Sequence, residues 1–124
     1  MRILHIEDNA IKHSSIVRVI KECTQCEIDW ERYLIDGKKK IAASIESGNP
    51  YDLIISDMWY PQMSGEKEVE SGKFLIEYIR EKQYNIPIII CSSVIYKIPG
   101  IYGTVYYSEK EDWELQLSSL INNL

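Results

Sequence analysis

Long apolar runs are missing from this 124-residue chain. The longest, Ile86 to Cys91, falls far short of the roughly 20 residues a membrane helix needs. A basic excess is missing too: 14 Lys and Arg against 19 Asp and Glu leave a formal net charge of -5. That sign argues against a surface built to neutralise nucleic-acid phosphates, so no direct nucleic-acid partner is expected. The one dense basic run, Gly37-Lys38-Lys39-Lys40, opens a predicted helix and reads as a solvated face. Cysteine is scarce, and three residues, an odd number, fit a reducing cytoplasm better than a disulfide framework. No leader is expected, because Met1-Arg2 run straight into strand-like sequence. Repeats, low-complexity stretches and interdomain linkers are absent, so one domain over 1–124 is expected. Met1 at the strand start and the ending "INNL" are compatible with a whole protein.

What is present, 45% hydrophobic and 27% charged residues, suffices for a globular core. Two periods alternate along it. Strand character marks Ile3–Ile6, Glu27–Trp30, Leu53–Ser56, Pro87–Cys91 and Thr104–Tyr107; the first, third and fourth are nearly continuous in Ile and Leu, as parallel strands covered on both faces are. Helical spacing lies between them. Ile16, Ile20 and Cys23 share a face of a first helix capped by Asp8 or Asn9. Asp36-Gly37 introduces a second helix, with Ile41 and Ile45 inward and a stop at Gly48-Asn49-Pro50. A third over Gly72 to Lys82 is predicted to bury Phe74, Leu75, Tyr78 and Ile79, and a last one Trp113, Leu117, Leu120, Ile121 and Leu124. Pro99-Gly100 inside "SVIYKIPGIYG" (93–103) predicts that a helix there is short or missing. The polar stretch 63–72 reads as an exposed loop. Five alternations of strand and helix imply a doubly wound α/β fold with a parallel sheet, where ligands gather at the carboxyl ends of the strands.

The residues past those ends form a coherent set: Glu7-Asp8-Asn9 after the first strand, Asp57 after the third, Ser92-Ser93 after the fourth and Lys110 after the fifth. Three carboxylates in one crevice repel one another unless a cation sits between them, and hard oxygen donors suit Mg²⁺. Asp57 could then attack phosphorus as a nucleophilic carboxylate, while a lysine and a hydroxyl neutralise the transferring group. The plain reading of Asp57 as a strand-ending turn former is set aside because Glu7-Asp8 stand at a neighbouring tip.

With these residues in place, the sequence resembles the receiver domain of two-component response regulators over essentially its whole length. The resemblance rests on "ILHIEDN" (3–9), "YDLIISDMWYP" (51–61), "PIIICSS" (87–93) and "YSEK" (107–110). It implies a flavodoxin-like five-stranded sheet of order 2-1-3-4-5. It further implies Mg²⁺ on Glu7, Asp8, Asp57 and the backbone carbonyl of Trp59. Asp57 becomes the acceptor of a phosphoryl group from a histidine kinase or phosphotransfer protein. Ser92 and Lys110 become its phosphate ligands, and Ser92 and Tyr107 the switch, with Tyr106 the competing aromatic. The implied role is phosphorelay signalling in the cytoplasm through a downstream protein partner, with self-catalysed phosphoryl acceptance and slow hydrolysis instead of metabolite turnover. No membrane partner is implied.

The chain departs from the family pattern in four places. Residues 65–71 lengthen the loop beside the acceptor. The helix after Ser93 is curtailed. Glu111 replaces the proline that usually follows the lysine, so no cis peptide is expected there. A gapless reading of the last helix allows Ser108 in the lysine position, whereas Lys110 keeps the aromatic spacing. These departures leave open a degenerate receiver that binds partners constitutively. A small flavin-binding or hydrolytic α/β protein is disfavoured, because no Gly-rich or Ser/Thr-rich phosphate loop follows the first strand. Trp59, two residues past the acceptor, is expected to shield a phosphoryl group from water. Cys23-Thr24-Gln25-Cys26 has CxxC spacing but follows a helix and has no second pair, so neither a redox nor a zinc role is assigned. His5 and His13 read as structural.

Overall fold

The computed structural model describes residues 1–124. In chain order the elements are β1 (Arg2–Ile6), α1 (Ala10–Cys23), β2 (Glu27–Glu31), α2 (Leu34–Glu46), β3 (Leu53–Ser56), β4 (Tyr60–Pro61), β5 (Glu68–Val69), α3 (Ser71–Glu81), β6 (Ile88–Ser92), β7 (Gly103–Tyr106) and α4 (Trp113–Asn122). Five strands pair in parallel in the order β2-β1-β3-β6-β7. Counting only sheet strands, this is the predicted order 2-1-3-4-5.

Strand parity sorts the core into two layers. Leu4, Ile6, Ile54, Ile88 and Ile90 face α2 and α3, meeting Leu34, Ile41, Leu75, Ile76 and Ile79. Ile3, Leu53, Ile55, Ile89 and Cys91 face α1 and α4, meeting Ile16, Val19, Ile20, Leu117 and Ile121. Full burial of each such aliphatic side chain contributes about 1.5–3 kcal/mol, so the central strands are held from both sides. Continuing the second parity past the strand ends places Glu7 and Asp57 on the α1 side, and that placement builds the site.

Several predicted boundaries move for identifiable reasons. α2 begins at Leu34, before Asp36-Gly37, with Tyr33 as its N-cap. Gly37 is no breaker: a Cβ there would lie 2.6 Å from Ile6 Cδ1, so the glycine lets the helix approach β1. α3 buries Leu75, Ile76 and Ile79, whereas Phe74 is exposed and Tyr78 only half-buried. Its inward stripe includes Gly72, Leu75, Ile76 and Ile79, one position round from the expected face. Leu124 lies beyond the end of α4 and is exposed. The stretch 63–72 is not wholly loop, because β4 and β5 close it as a small antiparallel ribbon pairing Tyr60 with Val69 and Pro61 with Glu68. Between β6 and β7 no helix forms, as Pro99-Gly100 predicted. No helix is long and apolar enough to cross a membrane.

Candidate functional site

At the carboxyl ends of β1, β3 and β6 an open crevice of about 460 Å³ is lined by Glu7, Asp8, Asp57, Trp59, Ser92 and Tyr107, among others. The backbone fixes its floor. Asp57 N donates to Ile6 O at 3.1 Å, continuing the β1–β3 ladder one residue past the strand and setting Asp57 beside Glu7. Asp57 Oδ1 accepts from Met58 N at 2.7 Å, which holds the carboxylate against its own turn. Gly72 N donates to Met58 O at 2.9 Å, so the start of α3 braces the same turn. Asn9 caps α1 by accepting from Lys12 N at 2.9 Å, and its own N–H donates to Glu7 Oε2 at 3.1 Å.

Carboxylate oxygens of Glu7, Asp8 and Asp57 lie within 4.8 Å of one another. Glu7 is 1% exposed, and its Oε1 faces the ammonium of Lys12 at 2.8 Å. Burial drives its carboxyl up to about 7, opposed by the neighbouring Lys12 ammonium and reinforced by Asp57. Burial likewise raises Asp57, against the pull of Lys12 and the Met58 N–H. The set fits a hard divalent cation in its chemistry: oxygen donors only, from three carboxylates gathered at one crevice.

Two charged residues that strand-tip reasoning missed complete the crevice. Lys12, from the first turn of α1, brings its Nζ to 2.8 Å from Glu7 Oε1 and 3.4 Å from Asp57 Oδ1. It donates to Cys91 O at 2.8 Å, and it lies 5.3 Å from the centroid of the Tyr107 ring. The two carboxylates hold its ammonium above the ordinary lysine range despite burial. A signal for it existed in the sequence: Lys12 stands four residues before Ile16, on the stripe that α1 turns to the sheet. Glu68, from β5, is the second, and a hydrogen bond shared with Asp8 pushes its carboxyl upward. No spacing rule points to Glu68, because an inserted ribbon carries it.

The other expected residues are distributed unevenly. Ser92 is buried at the end of β6, its Oγ accepting from Val94 N at 3.3 Å. Tyr107 lines the crevice and packs on Trp113, ring centroids 4.7 Å apart, whereas Tyr106 lines a separate cavity with Val94, Ile95 and Tyr96. Trp59 lies half over the rim, its indole N–H donating to Tyr96 Oη at 2.7 Å. Lys110 is not brought to the crevice. It sits exposed in a turn where its N–H donates to Ser108 Oγ at 3.2 Å and Glu111 N donates to Ser108 O at 3.2 Å. Ser108 does not line the crevice either. The turn carries this acid-rich stretch outward before α4 begins, and the ammonium beside Asp57 belongs to Lys12.

His5 and His13 pair with each other, Nδ1 to Nδ1 at 2.7 Å, and His13 stacks on Trp30 at 3.9 Å between centroids. Burial lowers both imidazoles, His5 strongly. Cys23 and Cys26 are free thiols, and burial pushes the Cys23 thiol up, the reverse of a reactive thiolate.

No protein-family model and no curated protein matches the chain. The likeness is to solved structures. A DNA-binding response regulator of the LuxR family from Staphylococcus aureus is 26% identical, with a TM-score of 0.66 over 98% of this chain and 96% of its own. The response regulatory domain of protein mrkE from Klebsiella pneumoniae is 15% identical, with a TM-score of 0.70 over 100% of this chain and 94% of its own. A receiver domain of the histidine kinase CKI1 from Arabidopsis thaliana is 18% identical, with a TM-score of 0.66 over 98% of this chain and 87% of its own. Strand order, layering and these likenesses agree: the chain has the receiver-domain fold of response regulators over nearly its full length.

Proposed function

We propose that the chain is a phosphoacceptor receiver, whose Asp57 takes a phosphoryl group from a histidine kinase or phosphotransfer protein in the cytoplasm. One observation carries the reading: three carboxylates from two adjacent strand tips lie within 4.8 Å of one another, with Asp57 at the open side of the sheet's central strand. Glu7, Asp8 and Asp57 would hold Mg²⁺, with the Trp59 carbonyl as a further donor, and the ion would supply charge neutralisation to the transferring group. Asp57 acts as the nucleophile; one carboxylate oxygen bonds to phosphorus as the bond from phosphorus to the donor breaks. The Met58 N–H orients that carboxylate. Ser92 offers a hydroxyl at the end of β6 for a phosphoryl oxygen, and Tyr107 is the aromatic whose packing responds. Two populations with different outer surfaces then exist, and a protein partner reads the difference.

The test is mass spectrometry after incubation with acetyl phosphate and Mg²⁺. One added phosphoryl group on Asp57, absent in Asp57→Asn, is expected; an unmodified wild-type chain overturns the reading. A second reading, a constitutive interaction module on the same fold, is favoured by one feature. Lys12 already neutralises part of the acid cluster, so the site is held together without phosphorylation. Under that reading no phosphoryl group is gained.

A further inference from the structure

We propose that Lys12, and not Lys110, is the cation that binds the phosphoryl group on Asp57. The inference deepens the phosphoacceptor reading and rests on it. Its ground is geometric. The side chain of Lys12 is only 11% exposed, although lysine heads normally stay in water. Lys12 stands on the inward stripe of α1, one turn before Ile16, and the Asn9 cap fixes the turn from which its side chain departs. The ammonium then meets three oxygens from three strand tips: Glu7 of β1, Asp57 of β3 and the carbonyl of Cys91 in β6. Glu7 and Asp57 share the parity that faces α1, so one residue of that helix reaches both carboxylates and, at the tip of β6, the Cys91 carbonyl as well. Lys110 has no such route. Its backbone turns outward after Tyr107, and its side chain is exposed.

Acyl phosphate formation converts one carboxylate charge into a dianionic group at the same place. The attacking oxygen of Asp57 gives an electron pair to phosphorus, and the bond to the leaving group breaks with its pair retained by that group. No proton from Lys12 is required. A preorganised ammonium 3.4 Å from the attacking carboxylate stabilises the charge that spreads over the equatorial oxygens, and it does so in a partly dry crevice. Lysine suits the task as a compact charge with three rotatable donors, able to exchange a carboxylate oxygen for a phosphoryl oxygen. Because the same ammonium holds Cys91 O, one residue before Ser92, and faces the Tyr107 ring, its shift would move both switch residues.

The experiment compares wild type, Lys12→Met, Lys12→Arg and Lys110→Ala, each checked by circular dichroism. Phosphorylation of Asp57 by acetyl phosphate at saturating Mg²⁺ is followed by mass spectrometry, and beryllofluoride binding by tryptophan fluorescence. Loss of one charge-stabilising donor predicts a rate about a hundredfold lower in Lys12→Met, with weakened beryllofluoride binding. Lys12→Arg keeps the charge and is expected to fall between Lys12→Met and wild type. Lys110→Ala, altered only at an exposed side chain, is expected to match wild type in both measurements. A wild-type rate in Lys12→Met overturns the inference, and so does a Lys110→Ala loss as large as that expected for Lys12→Met; the second arm decides even if Lys12→Met fails to fold. In either case a wild-type chain that still gains one phosphoryl group on Asp57 leaves the phosphoacceptor reading standing. If wild type gains none, both fall.

Discussion

Glu7 is a carboxylate almost wholly removed from water beside two others, and its protonation therefore tracks the fold. The folded chain releases its proton only near 7, while an unfolded chain releases it near the ordinary 4.5. Between these values the native state binds the extra proton, so this group's contribution to stability falls as pH rises. Glu7→Gln lacks that slope. In metal-free buffer its stability relative to wild type is expected to grow from pH 5 to pH 8 by at most about 3 kcal/mol. Urea titrations at several pH values measure it, and a pH-independent difference contradicts the burial account. Trp59 makes a second case at this scale. Its indole is held at the rim by Tyr96, where it would obstruct a water approaching the proposed phosphoryl group on Asp57. Trp59→Ala is expected to lose the phosphoryl group faster than wild type, and unchanged or slower loss removes the shielding role. Strand-tip acids were legible because Glu7, Asp8 and Asp57 end apolar runs. Lys12 was not, because a lysine in a helix reads as solvent-facing until the carboxylates opposite are located in space.

Elements show where periodicity suffices and where packing intervenes. Leu117 and Ile121 face inward at a spacing of four, as α4's pattern requires, since nothing competes for that face. In α3 the pattern misled: Phe74 is large and apolar yet exposed, because Gly72 and not Phe74 lies against the sheet tips. A Cβ at Gly72 would lie 2.7 Å from Asp57 O and 2.9 Å from Met58 Cα, both backbone atoms that cannot rotate away. Gly72→Ala must therefore displace either α3 or the Asp57-Met58 turn, at an expected cost of about 1–3 kcal/mol by overpacking. Chemical denaturation reads the cost, and an unaltered midpoint would show that α3 yields freely. Sequence spacing cannot reveal such a contact, because the partners are 14 and 15 residues apart in number and touch only after folding. The β4–β5 ribbon was illegible for a related reason: two-residue strands carry too little alternation to register.

At the scale of the whole molecule, strand order and layer assignment were legible because both follow from apolar runs and from parity. Ile3, Leu53 and Ile89 point one way, Leu4, Ile54 and Ile88 the other, and the two layers share one sheet. The β7 edge of the sheet was less legible, since the segment joining β6 to β7 has no period to read. From Ser93 to Ile101, Val94 alone has its amide satisfied within the protein, by Ser92 Oγ. Tyr102 N, bonded to Ile88 O, resumes the ladder. Amides left to water exchange hydrogen without any opening of the fold. That strap is thus already at the unprotected end of the stability scale, so a partner that clamps it would gain protection there at once. The entropy of ordering it would then fall on the binding step and not on the folding of the chain.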